Sequence, residues 1–245
     1  MIDLATVYTD THDHLVDVVR DLPDEMLARA VPATPAWTVK DAVAHVTAEA
    51  YIATTGDAPS DLNLLESTQT REMADRRDAL NAQHIEARRD LPLGAVLEEW
   101  ADLVQKVLPM IRGEQPFPFA HPFIDTILVA DLAMHAQDIR STVGVPGDRD
   151  SPGVSAALGA FTFVLDLRLN TLGLAGLRVR YGEKERVLGA EPVAATLTTE
   201  RFELVRALTG RRSSAQFRAY HWEGDPEPYV PLIPAYGERN DDIVE

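Results

Sequence analysis

Cysteine is missing from all 245 positions of this chain. Disulfides, thiolate metal ligands and a protein thiol nucleophile are therefore excluded, and any thiol chemistry would need an external thiol. Basic charge is scarce too. With 23 Lys and Arg against 39 Asp and Glu, the formal net charge is -16. Nucleic-acid phosphates and anionic lipid both ask for a basic surface, so neither partner is expected. The sequence reads as free of any run of about eighteen apolar residues, which predicts no membrane span. Its opening, MIDLATVYTDTHDHL, is acidic and mixed, not a secretory signal. A cytoplasmic protein is the expectation. P-loop, dinucleotide and serine-elbow motifs are also absent. Gly144, Gly147 and Gly153 are spaced as punctuation rather than as a phosphate cradle.

What is present is an ordinary globular composition, 45% hydrophobic and 25% charged. The length suits one large domain or two small ones. Residues 3–20 carry apolar side chains at helical spacing, and 24–30 read as a helical turn. The next helix has a clear start. Thr38 can cap it, Asp41 stands at the reciprocal capping position and Trp37 just precedes the cap. Its inner face would carry Ala42, His45, Val46 and Glu49. The polar stretch 60–90 reads as a solvated, ion-paired helix. Residues 92–111 form an amphipathic helix, and 113–122 a proline-rich loop. A helix over 123–142 stops at Gly144 and Pro146.

Beyond 150 the pattern changes. Residues 151–172 read as a small-residue helix. LRVRY (177–181) and AATLTTE (194–200) alternate at period two, as strands do. The segment between them supplies a turn and room for a short strand. A helix over 201–212 ends at Gly210, and the tail from 222 has no clear element. These elements predict a helical part, 1–147, followed by a smaller mixed α/β part, 148–245.

The chemistry-bearing residues fall in two stretches: TPAWTVKDAVAHV, holding His45, and TILVADLAMHAQDIR, holding Asp131, His135 and Asp138. Asp131 and His135 are four apart on a helix, hence on one face, ~6 Å along the axis. Two helices offering His, carboxylate and His inward could hold one divalent ion with a position left open. An isolated His45 would read as a core histidine, and Asp131 with His135 as an i, i+4 pair. Against this, Asp131 lies inside VADLAMH, where an unpaired carboxylate is expensive to bury. Asp138 reads as an acceptor orienting a ligand histidine, with a fourth ligand or a surface acid as alternatives. His12 could face the bundle near the site. His121 could border the pocket mouth, His84 reads as solvent-facing, and Trp37 reads as a packing residue.

WTVKDAVAHV and DLAMHAQDIRSTVG, in this order, resemble the two signatures of the mycothiol-dependent maleylpyruvate isomerase family, within the DinB-like metalloprotein superfamily. VRALTGRRS (205–213) is similar to a segment of that family's smaller C-terminal domain. The resemblance implies a mainly α protein: a DinB-like four-helix bundle followed by a smaller α/β C-terminal domain. It also implies a divalent metal, usually zinc, on His45, Asp131 and His135. The isomerases have Glu where this chain has Asp131, one methylene shorter. Mycothiol would be the thiol cosubstrate, and a small electrophile the substrate.

An open metal site suits thiol chemistry, because a cation lowers the pKa of a bound thiol and orients the sulfur. Addition to a conjugated double bond, rotation and departure would make an isomerase. Displacement of a leaving group would make an S-transferase. Metal-dependent hydrolysis and non-catalytic metal or ligand binding are the alternatives. Asp138 and His12 are candidate catalytic groups. Arg211 and Arg212 are candidates for anion recognition, since Arg forks match carboxylates, or else form a solvated turn at a helix end. Arg178, Arg180, Arg206 and Arg218 compete for that role. Monomer and homodimer are both compatible with the sequence.

Overall fold

The first helix, α1 (Leu4–Val19), begins where the Asp3 carboxylate accepts from the amides of Ala5 and Thr6. It buries Ala5, Tyr8, His12, Leu15 and Val19, spaced as one face of a helix. This is a computed structural model, and it describes residues 2–63, 66–119 and 123–245. His121 lies outside the described residues. One helical turn, α2 (Asp24–Leu27), leads into a hairpin of β1 (Ala30–Val31) and β2 (Thr34–Thr38). The sequence reading did not anticipate this hairpin.

Helix α3 (Val39–Thr55) starts at the expected capping box. Thr38 Oγ1 accepts from the Asp41 amide at 3.1 Å, and Asp41 Oδ2 accepts from the Thr38 amide at 2.9 Å. Gly56, at φ 73°, ends the helix in the left-handed region. A 3-10 turn (Glu66–Thr68), α4 (Arg71–Glu86), α5 (Leu93–Ile111) and α6 (Ile124–Val143) follow. Helix α6 ends at Gly144, φ 73°, close to the predicted stop.

Helices α1, α3, α5 and α6 make the bundle, with α1 beside α5 and α6, and α3 beside the same two. Tyr8, Leu15, Val43, Trp100, Val104, Leu128 and Ile139 are among its core residues. Helix α4 packs on α3. It is less solvated than its composition suggests, because Met73, His84 and Ile85 are buried. Just beyond it, the buried Arg88 forks onto Glu99 of α5 at 2.9 and 2.5 Å.

Two compact units divide the chain at Ala156/Ala157. The division falls inside α7 (Pro152–Leu172) rather than at residue 147. The second unit holds β3 (Ala175–Tyr181), β4 (Lys184–Leu188), β5 (Ala190–Thr199), α8 (Arg201–Leu208), α9 (Ser214–Arg218) and β6 (His221–Glu223). The sheet order is β4-β3-β5-β6, with β3 and β5 parallel and the outer pairs antiparallel. Gly176 sits where a Cβ would meet the Ala190 carbonyl oxygen at 2.8 Å, so the close approach of β3 to β5 requires glycine. The protein is thus mainly α, a bundle followed by a small α/β part, as the resemblance implied.

Helix α7 bears on the expected absence of a membrane span. It is long and apolar enough to cross a membrane by length and composition, although half of its apolar window is buried inside the protein. Its polar groups are engaged as in a core helix. Asp166 accepts from the Gly189 amide at 2.7 Å, and Arg168 donates to the carbonyls of Leu232, Pro234 and Ala235.

Candidate metal centre

The capping box fixes where α3 begins, and so fixes which turn of the bundle carries His45. Helix α6 packs against α3 and carries Asp131, His135 and Asp138. His45 Nε2 lies 3.3 Å from Asp131 Oδ2, and His135 Nε2 lies 3.6 Å from Asp131 Oδ1. One donor atom from each of the three residues lies within 4.8 Å of the others. Ligand atoms ~2.1 Å from a tetrahedral zinc stand about 3.4 Å apart. The two histidine–carboxylate separations are close to that figure, although they run to different oxygens of Asp131, so the three side chains could hold one divalent ion after a small adjustment.

Both imidazoles are almost fully buried, whereas a quarter of the Asp131 side chain reaches solvent (25%). The rings are thus the enclosed part of the cluster, and the Asp131 side chain is the part that reaches solvent. Trp37, at the end of β2, lies against both rings, 4.7 Å from His45 and 5.6 Å from His135 between centroids. The two imidazoles meet edge-on at 4.7 Å. The sequence alone marks Trp37 as a packing residue. It does pack, but against the ligand candidates themselves. The signal was its position just before the cap of the His45 helix, which returns the indole over the first turns.

Asp138, whose side chain is 0% exposed, places Oδ2 3.3 Å from His135 Nδ1. That is where an acceptor orienting the ring would stand. Burial pushes the His135 pKa below its usual value, opposed by the Asp131 charge and the Asp138 contact and reinforced by His45. A neutral imidazole is the ligating form.

Glu49, on the predicted inner face of α3, is the nearby carboxylate to which the sequence reading assigned no role. Its Oε1 is 3.9 Å from His45 Nδ1. Although 24% of its side chain reaches solvent, burial around the carboxyl pushes its pKa up to about 7. His45 and Arg77 oppose that rise, and Asp131 adds to it. The phenol of Tyr8 is held protonated by burial and by the same two acids, Glu49 and Asp131.

The remaining candidates lie elsewhere. His12 is buried, with Nδ1 2.8 Å from Asp13 Oδ1 and its ring edge-on to Trp100 at 4.5 Å. It is not part of the cluster of three. His84 is buried beside Tyr51, with Nε2 3.4 Å from the Asp57 carbonyl, which corrects its solvent-facing reading. Arg211 and Arg212 are buried too, not a solvated turn. Arg212 forks onto Glu203 at 2.7 and 2.8 Å and reaches Glu245 at 2.9 Å. Arg211 donates to the Thr209 carbonyl. Arg206, fully buried, also pairs with Glu245. Arg178 and Arg180 face Glu185, and Arg218 forks onto Glu227. Each arginine considered for anion recognition thus contacts a carboxylate or carbonyl of its own chain.

A four-helix bundle that brings His45, Asp131 and His135 together presents a group that could hold a metal ion. The sequence profile of the mycothiol maleylpyruvate isomerase N-terminal domain matches residues 8–140, and the chain belongs to that family. The match includes His45, Asp131, His135 and Asp138. Among similar solved structures is a crystal structure of the mycothiol-dependent maleylpyruvate isomerase. Its TM-score is 0.56 at 15% identity, over 85% of this chain and 88% of that one. A histidine-to-alanine mutant of a mycothiol-dependent maleylpyruvate isomerase is similar as well. Its TM-score is 0.55 at 14% identity, over 84% and 88%. At these identities the structures speak to fold. No curated protein matches the sequence.

Proposed function

We propose that this protein is a divalent-metal-dependent enzyme that uses mycothiol as cosubstrate, acting as an isomerase or S-transferase on a small electrophile. The observation that carries the reading is the cluster of His45, Asp131 and His135, with one donor atom from each within 4.8 Å of the others. Membership of the mycothiol maleylpyruvate isomerase family supports the thiol. So does the absence of any cysteine that could serve in its place.

His45, Asp131 and His135 would hold the ion, with zinc the expected metal. When bound, such an ion lowers the pKa of a thiol and presents its sulfur as thiolate. The chain's own residues do the rest. Asp138 keeps the proton of His135 on Nδ1, so that Nε2 points its lone pair inward. Trp37 walls the imidazoles and keeps bulk water from their faces. Thiol and electrophile would approach past Asp131, a quarter of whose side chain reaches solvent (25%). We place the protein in the cytoplasm, where low-molecular-weight thiols are kept reduced. A small substrate and the thiol are its partners, in a monomer or homodimer.

The hydrolytic alternative needs a general base at the open side. Asp138 faces His135 Nδ1 instead, and His12 is held between Asp13 and Trp100. That geometry removes those two groups as the base, and Glu49, whose carboxyl is pushed up to about 7, is the acid a hydrolase would use instead.

The test is metal content and thiol-dependent turnover in protein purified without a histidine tag. About one equivalent of a divalent ion, lost in His135→Ala, together with mycothiol-dependent isomerisation of maleylpyruvate or conjugation of another electrophile, is expected. Protein that neither carries nor takes up an ion refutes the reading. Stoichiometric ion without thiol-dependent turnover leaves a metal-binding protein on the same bundle.

A further inference from the structure

The two histidines of the centre are built alike. On α6, His135 turns Nε2 to Asp131 and has the Asp138 carboxylate 3.3 Å from Nδ1, three positions along the same helix. On α3, His45 also turns Nε2 to Asp131, and the Glu49 carboxylate lies 3.9 Å from its Nδ1, four positions along. Positions three and four apart both share a helix face. Each helix therefore follows its histidine, one turn later, with an acid on the side away from Asp131.

We propose that Glu49 is a positioning residue for His45, the α3 counterpart of Asp138. It accepts from Nδ1–H and so commits Nε2 to the ion. This rests on the metal reading above. The chemistry requires such a partner, because an imidazole that ligates through Nε2 carries its proton on Nδ1. An acceptor there fixes both the tautomer and the ring angle. The 3.9 Å separation is longer than a hydrogen bond. Glu49 has one methylene more than Asp138 and keeps part of its side chain in solvent, so closing the gap needs only a change of its side-chain torsions. One bridging water would serve equally.

Glu49 and Asp131 each keep about a quarter of the side chain in solvent, 24% and 25%, whereas Asp138 keeps none. The pair is thus asymmetric: one acceptor is enclosed and the other is partly exposed.

The experiment is a zinc titration of metal-free wild type, Glu49→Ala and Glu49→Gln against a chromophoric chelator. Imidazole tautomers are read in parallel by nitrogen-15 NMR. Glu49→Ala is expected to weaken zinc binding about 10–100-fold. Glu49→Gln, which keeps an acceptor oxygen without the charge, falls between. In Glu49→Ala the His45 ring loses its preference for the Nδ1–H tautomer while His135 keeps it, a change that a purely structural role would not cause. Glu49→Ala binding zinc within about twofold of wild type, with an unchanged His45 tautomer, overturns the proposal and leaves the metal reading standing. Wild type that binds no zinc removes both. Should the alanine variant fail to fold, the glutamine variant decides: affinity equal to wild type overturns the proposal, and reduced affinity with the wild-type melting profile supports it.

Discussion

Nε2 of His45 and Oδ2 of Asp131 lie 3.3 Å apart, on two helices that neighbour each other in the bundle but lie far apart in sequence. The same carboxylate turns its other oxygen to His135. Asp131 is therefore the one ligand candidate that faces both imidazoles. Asp131→Ala is expected to weaken zinc binding by about 100-fold or more, since second-sphere losses alone reach that range. Asp131→Glu, which keeps the carboxylate and adds one methylene, is expected to retain stoichiometric metal. Metal analysis of the two purified variants checks both outcomes.

Trp37 lies against both rings, while Trp100 lies against His12 and Trp222 belongs to the second unit. Zinc added to metal-free protein is expected to change tryptophan emission. Trp37→Phe should abolish that change while zinc still binds. Fluorescence titration beside a chelator competition tells the two apart.

The capping box at Thr38 sets the start of the His45 helix. Thr38→Ala removes the acceptor for the Asp41 amide and is expected to cost about 1 kcal/mol. For a chain of this size that corresponds to a fall of about 2–4 °C in melting temperature. Differential scanning calorimetry measures it directly.

Much of this site was legible in the sequence because its determinants are local. Thr38 and Asp41 form their box within one helical turn. Asp131, His135 and Asp138 share a face through spacing alone, and Gly144 ends their helix. Other features depend on partners distant in sequence, which periodicity does not register. His84 and Arg88 sit in a highly charged stretch, yet α3, α5 and the Asp57 carbonyl bury them. Arg212 reads as a basic turn, but Glu203 and Glu245 enclose it. Strands β1 and β6 are too short to show alternation.

Glu245 is enclosed, with its carboxylate shared between Arg206 and Arg212. Glu245→Ala leaves two buried guanidinium groups without that charge. The expected loss is about 3 kcal/mol, the range for breaking a buried pair from one side. Urea denaturation followed by circular dichroism gives the figure, and an effect below about 1 kcal/mol would mean that the pair is solvated.

The Arg212 guanidinium holds the Glu203 carboxyl below its ordinary value of 4.5, against the opposing effect of burial. Its folded pKa is therefore lower than its unfolded one. The stability it contributes is complete above the unfolded value and is lost as pH falls through the folded one. Melting curves recorded from about pH 6 to pH 3 should drop more steeply for wild type than for Glu203→Gln. Parallel curves would exclude Glu203 from acid unfolding.

His45, Glu49, Asp131, His135 and Asp138 all precede the division at Ala156. Every residue of the proposed centre is therefore encoded before that point. A lineage could exchange or reshape residues 157–245 and still pass on the same ligand set. Diversity among such proteins would then collect in what reacts rather than in what is bound.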